Sequence, residues 1–367
     1  MDTSLEELLA EFDSSLPLAR ARSLPSPWYR DPRIEALERR RVFGDSWQLV
    51  ARSDQLEHPG DFVTADVAGE PLLVLRDDTG ELRGFFNVCR HRAACVMTEP
   101  RGNARKLRCR YHGWTYDLRG QLRGLPEFEG VEDFRREDQG LVPVRVDRWG
   151  PLVFAHLGDA PLPLPDSLAP LSAEMGPLED LRFLERREYT LACNWKVFVD
   201  NYLDGGYHVN SVHPALGSVL QYAEYRTECF ERTSLQSSPM RTGDDAAAAA
   251  TRTGDRARYA WAFPNLMVNL YAGVMDTNVV LPLGPERCRV TIDFYFGDLE
   301  GEAALRFAQQ SMELGHQIQL EDVGICEDVQ KGMGSRSYRT GRFSVRREVA
   351  IHHFHRLLAS RLQAGAD

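Results

Sequence analysis

The sequence predicts an α+β protein, with a small all-β domain set inside a larger domain that packs a β-sheet against long helices. Three observations predict it. Between Trp47 and about Val88, short β-rich runs alternate with turn signals. Beyond about residue 178, longer strand-like runs are followed by segments of helical composition at 302–333 and 345–363. A proline-rich stretch, PLPLPDSLAP at 161–170, separates the two characters.

Residues 1 to about 40 read as helical, with Leu5, Leu8 and Leu9 at helical spacing and Ile34, Leu37 and Val42 among charges. The runs WQLVA, DFVTADV, PLLVLRD and GFFNV are broken by HPG, AGE and DDTGE, which reads as strands joined by turns. The same character returns in GLVPVRVDRWGPLVFAHL, giving one β domain over residues 43–157. Four prolines in the ten residues 161–170 argue against a helix interior or a central strand there. LEDLRFLERREYTLACNW resumes strand-like alternation, and residues 196–222 read as helix with an interruption. TGDDAAAAATRTGD, at 242–255, reads as an exposed low-complexity loop. WAFPNLMVNLYAGVMDTNVVLPL and RCRVTIDFYFG are strands with a Gly/Pro turn between them.

The 367 residues suggest about two domains at roughly 150 residues each. The net charge of −10 argues against a nucleic-acid or anionic-membrane partner, because phosphate binding needs clustered positive charge. Seven cysteines, an odd number over a long chain, are not a secreted disulfide framework. The acidic start MDTSLEELLAEFD has no basic segment followed by an apolar one. No apolar run reaches the ~18 residues of a membrane span. These features place the chain in the cytoplasm with reduced thiols.

Two constellations carry chemistry. Cys89-Arg90-His91, 17 residues, then Cys109-Arg110-Tyr111-His112 form C-x-H-x17-C-x2-H. Each half offers one thiolate and one imidazole from a loop between strands. Such donors suit zinc or an iron–sulfur cluster. Zinc fingers usually pair like with like. The mixed pairs here fit a Rieske [2Fe–2S] centre, with two Cys on one iron and two His on the other. Cys95, inside the spacer, reads as an ordinary buried thiol.

The second constellation is NWKVFVDNYLDGGYHVNSVHPAL. Asp204 and His208 are four apart, on one face of a helix. His208 and His213 are five apart, so they share a metal only where the helix is distorted or ends. Gly205-Gly206 and Pro214 are consistent with such an irregularity. Two His plus one carboxylate on one face of Fe(II) leave positions open for oxygen. QLEDVGICEDVQKGM offers Glu321, Asp322, Glu327 and Asp328 as the third ligand. His352, His353 and His355 follow a helical register with Phe354, Leu357 and Leu358, which reads as an amphipathic C-terminal helix.

NVCRHRA…CRYHGWTYDLRGQL resembles the Rieske domain of the Rieske-type non-haem iron oxygenases. N-W-K-x-x-x-D-N-Y-x-D-x-x-Y-H-x4-H resembles the mononuclear-iron motif of the same family. E-D-x-x-x-C-E-x-V-Q-x-G resembles its C-terminal segment, where the aspartate of the E-D pair completes the triad. The resemblance implies an all-β Rieske domain at 43–157. It also implies a catalytic domain at 1–42 and 158–367, with a curved antiparallel sheet covered by helices. It implies Cys89, His91, Cys109 and His112 as cluster ligands and His208, His213 and Asp322 as iron ligands. A carboxylate just before the first iron histidine bridges the two metal centres in this family, often three residues before it. Gly205 holds that position here, so the role falls to Asp204, four before, with Asp200 as the fallback. Asn201 also matches the motif.

The implied reaction is O2 activation at Fe(II), with electrons passed through the cluster. It implies a head-to-tail homotrimer that brings the cluster of one chain to the iron of the next. A separate NAD(P)H-dependent reductase, with or without a ferredoxin, must supply the electrons, since no G-x-G-x-x-G fingerprint is present. NYLDGGYHV most resembles the branch with choline monooxygenases and glycine betaine demethylases, which hydroxylates a carbon next to a quaternary nitrogen. Tyr202, Tyr207, Trp261, Phe263 and Tyr271 are candidate aromatic walls for such a cation. The alternatives are an aromatic or other neutral substrate, favoured by an apolar pocket without a nearby acid, and an electron carrier with no catalysis of its own.

Overall fold

The computed structural model describes residues 3–241 and 250–364. The first eight residues of the stretch 242–255 lie outside them. At its far end Thr251 and Arg252 are buried rather than exposed. Two compact units are present: Phe43–Asp166, and the residues on either side of it in the chain.

In the unit Phe43–Asp166, seven antiparallel strands form one sheet. In sequence they are β1 (Gln48–Arg52), β2 (Asp61–Val67), β3 (Glu70–Arg76), β4 (Leu82–Phe86), β5 (Arg101–Asn103), β9 (Pro143–Trp149) and β10 (Leu152–His156). Their order across the sheet is β1-β10-β9-β4-β3-β2-β5. The short strands β6 (Leu107–Arg108), β7 (Thr115–Tyr116) and β8 (Leu122–Gly124) form a second sheet. β3 is buried on both faces, and its side chains alternate. Leu73 and Leu75 pack with Phe85, Trp114, Tyr116, Cys89 and Cys109. Leu72 and Val74 turn to Ala155 and Val153 on the other face. Cys95 is half-buried, not buried as the sequence suggested.

The N-terminal residues are less helical than their leucine spacing implies. Helix α1 (Leu5–Ala10) opens with a capping box between Ser4 and Glu7. Helix α2 (Pro32–Glu38) opens on Asp31 with Pro32 in its first turn. Pro17 and Pro25 lie between them, where the one helical element is a 3-10 helix (Ser26–Tyr29). The proline-rich stretch also departs from expectation: helix α3 (Leu164–Met175) contains Pro170. Pro165 sits in its first turn, where a missing N–H costs nothing. Pro170 forfeits a bond to Asp166. Leu164, Leu168, Leu171 and Met175 recur at helical spacing, and all four are buried, which outweighs that loss.

The other unit holds a seven-stranded antiparallel sheet. Its strands are β11 (Arg182–Leu191), β12 (Arg226–Cys229), β13 (Thr233–Pro239), β14 (Arg256–Ala262), β15 (Leu266–Tyr271), β16 (Val274–Gly284) and β17 (Arg287–Phe296). The order is β11-β17-β16-β15-β14-β13-β12. Tyr259, Asn269, Asp276 and Phe294 face one another in register on four neighbouring strands, so they form one rung. Helices α4 (Trp195–Tyr202), α5 (Val209–Val212) and α6 (Pro214–Val219) follow β11 in sequence. Helices α7 (Gly301–Met333) and α8 (Val349–Leu362) complete the unit. α7 spans ~50 Å at 1.5 Å per residue. It buries Ala308, Met312, Gln319, Cys326 and Gln330 along one stripe.

The Asn-Trp-Lys run at 194–196 fixes α4. The Asn194 side chain accepts from the Lys196 N–H and caps the helix. Trp195 Nε1 donates to Glu38 Oε2 at 2.8 Å. Lys196 Nζ lies 2.6 Å from Glu38 Oε1, with both side chains fully buried. Burial pushes the Glu38 carboxyl up and the Lys196 amine down, and each charge opposes the shift of the other. Removing one partner strands a buried charge. Lys196→Met is therefore expected to lower stability by about 3–5 kcal/mol in urea unfolding. The pair Glu38→Gln with Lys196→Met keeps an acceptor for Trp195 and should recover most of that loss. A double variant no more stable than the single one would contradict this account.

Candidate metal centres and the cavity beside them

The cluster constellation sits on two loops with the same hydrogen-bond pattern. In the first, the Ala93 N–H donates to Cys89 O at 3.0 Å and the Cys89 N–H to Ala94 O at 2.8 Å. In the second, the Gly113 N–H donates to Cys109 O at 3.0 Å and the Cys109 N–H to Trp114 O at 2.8 Å. The fourth residue after each cysteine is left-handed, with φ of 58° at Ala93 and 73° at Gly113. Each loop therefore presents one buried thiol and one outward imidazole. The His91 and His112 rings lie 4.6 Å apart, and His91 stacks on Trp114 at 4.9 Å. Burial pushes the Cys109 thiol up, and the neighbouring Cys89 thiol adds to the rise. Burial and then His112 push His91 down, towards the neutral imidazole that binds a metal. Two thiols buried in the core and two imidazoles nearer the surface are the donor set that would hold a [2Fe–2S] cluster.

The second constellation is built around a sharp turn. Asp204 and His208 do not share a helix face, because α4 ends at Tyr202 and α5 begins at Val209. Between them Gly205 and Gly206 are both left-handed, with φ of 69° and 70°. A Cβ on Gly205 would lie 2.1 Å from the Arg347 carbonyl oxygen, so only glycine fits. The turn brings Asp204 back onto His208. Its carboxylate accepts from the His208 backbone N–H at 2.9 Å and from His208 Nδ1 at 2.5 Å. His213 ends the short helix α5, and Glu321 Oε2 accepts from its Nδ1 at 2.7 Å.

With both Nδ1 atoms held by carboxylates, both Nε2 atoms are left for a metal. His213 Nε2 lies 3.0 Å from Asp322 Oδ1, and His208 Nε2 lies 3.8 Å from it. One ligand atom from each of His208, His213 and Asp322 lies within 4.8 Å of the other two. The donors of this mononuclear metal-binding triad, two imidazoles and a carboxylate, suit Fe(II) with open positions. Asn201 Nδ2 donates to Asp322 Oδ1 at 2.7 Å and orients the carboxylate. Asp200 is engaged elsewhere: it accepts from the Tyr29 hydroxyl at 2.6 Å and from His355 Nε2 at 2.9 Å. The Leu24 N–H donates to His355 Nδ1 at 3.3 Å, so the ring proton sits on Nε2.

A cavity of about 110 Å³ opens beside the triad. One water needs roughly 10–15 Å³ of such space, so the cavity suits a molecule with on the order of ten non-hydrogen atoms. Phe198, Tyr202, Tyr225, Tyr259, Tyr271 and Phe294 supply its aromatic surface, and Asp276 is a buried acid in its wall. Asp276 Oδ2 accepts from Asn269 Nδ2 and Asn278 Nδ2. Of the five aromatics picked out in the sequence, Tyr202 and Tyr271 line the cavity. Tyr207 is exposed, while Trp261 and Phe263 pack in the core. Sequence reading missed Asp276, Tyr225, Tyr259 and Glu321's place behind His213. The available signal for Asp276 was the polar Asn269, Asp276 and Asn278 inside otherwise apolar strands. The C-terminal helix forms as expected, and on its buried face His355 meets Asp200.

Residues 46–135 match a family model described as the Rieske [2Fe-2S] domain. Residues 178–364 match one described as the ring hydroxylating alpha subunit (catalytic domain). The chain is 40% identical to a chloroplastic choline monooxygenase of Arabidopsis thaliana, over 98% of this chain and 88% of that protein. It is 30% identical to the carnitine monooxygenase oxygenase subunit of Escherichia coli K12, over 92% and 93%. A crystal structure of a quaternary ammonium Rieske monooxygenase with an inhibitor superposes with a TM-score of 0.84 at 27% identity, covering 99% of each chain.

Gly205→Ala is expected to cost the chain its mononuclear iron. The added Cβ meets a backbone carbonyl that cannot move aside, and the left-handed backbone adds about 1–2 kcal/mol. Metal analysis should show one iron fewer per chain, with cluster absorption unchanged. Retention of the full iron content would show that the turn does not set the triad.

Proposed function

Because the chain belongs to the Rieske-type ring-hydroxylating oxygenases as an alpha subunit, we propose that it hydroxylates a quaternary ammonium compound such as choline or a betaine. Oxidation would fall on a carbon next to the charged nitrogen, and from an N-methyl group this leads to demethylation. The observation that carries the reading is the buried carboxylate Asp276 in an aromatic-walled cavity beside the metal triad. A quaternary cation has no N–H to donate, so it is held by ring faces and a fixed negative charge. Burial pushes the Asp276 carboxyl up, against the lowering influence of Arg252. A cation in the cavity favours the carboxylate, and Asp276 binds it best once ionised. The named activities of the choline and carnitine monooxygenases also support a cationic substrate.

When bound, the cluster supplies single electrons and the Fe(II) activates O2. The remaining work belongs to this chain's side chains. Cys89, Cys109, His91 and His112 would hold the cluster, and His208, His213 and Asp322 would hold the iron. Asp204 and Glu321 keep the protons on Nδ1 of the two iron histidines. Asn201 holds Asp322 by one oxygen. Asp204, already on His208, is the residue we assign to the link between the two centres. Asp200 positions α4 through Tyr29 and His355.

We assign residues 43–157 to the cluster domain and 1–42 with 158–367 to the catalytic domain. We place the chain in a head-to-tail homotrimer, fed by an NAD(P)H-dependent reductase with or without a ferredoxin. The odd number of cysteines, which is not a secreted disulfide framework, supports a reducing, cytoplasmic setting. Among the described residues, no helix is long and apolar enough to cross a membrane.

O2 uptake with a surrogate reductase should depend on quaternary ammonium compounds and not on simple aromatics; uptake with aromatics alone would overturn the reading. His208→Ala should abolish turnover and leave the cluster spectrum intact. Asp276→Asn should raise KM for the cationic substrate about tenfold or more, or ~1.4 kcal/mol. The wild-type KM should rise as pH falls through the raised Asp276 titration, because protonation removes the counter-charge. The Asn variant should lack that rise.

A further inference from the structure

Arg252 lines the same cavity, is not among the metal-triad residues, and carries a charge of the wrong sign to attract a cation itself. It is 5% exposed. Its Nη1 donates to the Ser311 hydroxyl and carbonyl of α7, and its Nη2 to that carbonyl at 3.5 Å. The guanidinium carbon lies 4.9 Å from the centroid of the Tyr271 ring. The Nε–H, also buried, has no acceptor among the described residues. A buried guanidinium N–H left unpaired is costly, and a bound anion removes that cost.

The position of Arg252 matters as much as its charge. It touches α7 at Ser311, and a Cβ on Gly315 would lie 3.7 Å from its Nη2. Ser311 and Gly315 precede the ligand Asp322 by eleven and seven residues, or ~16 and ~10 Å along the helix. Gly315, Ile318, Gln319 and Asp322 all line the cavity, so this face of α7 runs from the Arg252 end to the triad.

We propose that Arg252 is a specificity-determining residue that binds a substrate carboxylate at the end of the cavity far from the metal. The substrate is then a zwitterion: a quaternary ammonium group joined by a short carbon chain to a carboxylate, rather than a quaternary ammonium alcohol. This rests on the quaternary-ammonium reading above. Arg252 takes the carboxylate, Asp276 and the tyrosine rings face the cationic nitrogen, and the anchored molecule directs an N-methyl group towards the triad. An alcohol of the same size would leave Nε–H without a charged acceptor.

The test compares glycine betaine, its methyl ester and choline as substrates of the reconstituted holoenzyme and of Arg252→Gln and Arg252→Lys. Wild-type kcat/KM is expected to be at least tenfold higher for betaine than for the ester or choline. Arg252→Gln should cut kcat/KM for betaine at least a hundredfold, chiefly through KM, and at least thirtyfold more than it cuts that for choline or the ester. Arg252→Lys should recover part of the loss. Equal losses for all three substrates, or a wild-type preference for choline or the ester, overturn the proposal and leave the quaternary-ammonium reading standing. Turnover of none of the three overturns both. If Arg252→Gln loses its iron or its fold, the wild-type comparison of betaine with its ester decides.

Discussion

Two consecutive left-handed glycines set the geometry on which the metal site depends. A regular helix through Asp204–His213 would place His208 and His213 on different faces, because five residues rotate a side chain by about 140°. Gly205 and Gly206 end that helix, reverse the chain and return it as the single turn of α5. The two imidazoles then meet at 4.9 Å, nearly perpendicular, in front of Asp322. The cost is one of conformation, carried by residues without a Cβ. It also explains why the acid behind His208 comes from four residues back: three back is Gly205, where no side chain fits.

The rest of the unit holds that turn in place. Asn194, Trp195 and Lys196 fix the start of α4 through a cap and a buried ion pair. Asp200, on Tyr29 and His355, ties its other face to the N-terminal segment and α8. Glu321 and Asp322 are adjacent in α7 yet do different work, one behind the His213 ring and one in front of it. In the cluster unit, two loops with the same hydrogen bonds perform the comparable task. Each uses one left-handed residue to turn a thiol inward and an imidazole outward.

Much of this was legible in the sequence, for physical reasons that also mark where legibility ended. Metal binding needs particular donor atoms at short spacings, so Cys89, His91, Cys109, His112, His208 and His213 stand out as candidates. The strands were readable because their side chains alternate. Helix α3 is hidden by its prolines, whose propensity is overridden by the buried stripe of Leu164, Leu168, Leu171 and Met175. Spacing alone puts Asp204 and His208 on one helix face, and the left-handed Gly205 and Gly206 between them break that helix. Asp276 and Arg252 could not be placed from spacing. Each meets the cavity only through strand register or a long-range contact: Asp276 sits on a rung spanning Tyr259 to Phe294, and Arg252 reaches Ser311.

The central claim is that one chain carries both a Rieske cluster and a mononuclear iron. Metal and acid-labile sulfide analysis of the purified protein, with EPR after dithionite reduction, tests it directly. The account predicts three irons and two sulfides per chain and a Rieske signal from the reduced cluster. Zinc in place of iron, or the absence of that signal, would contradict it.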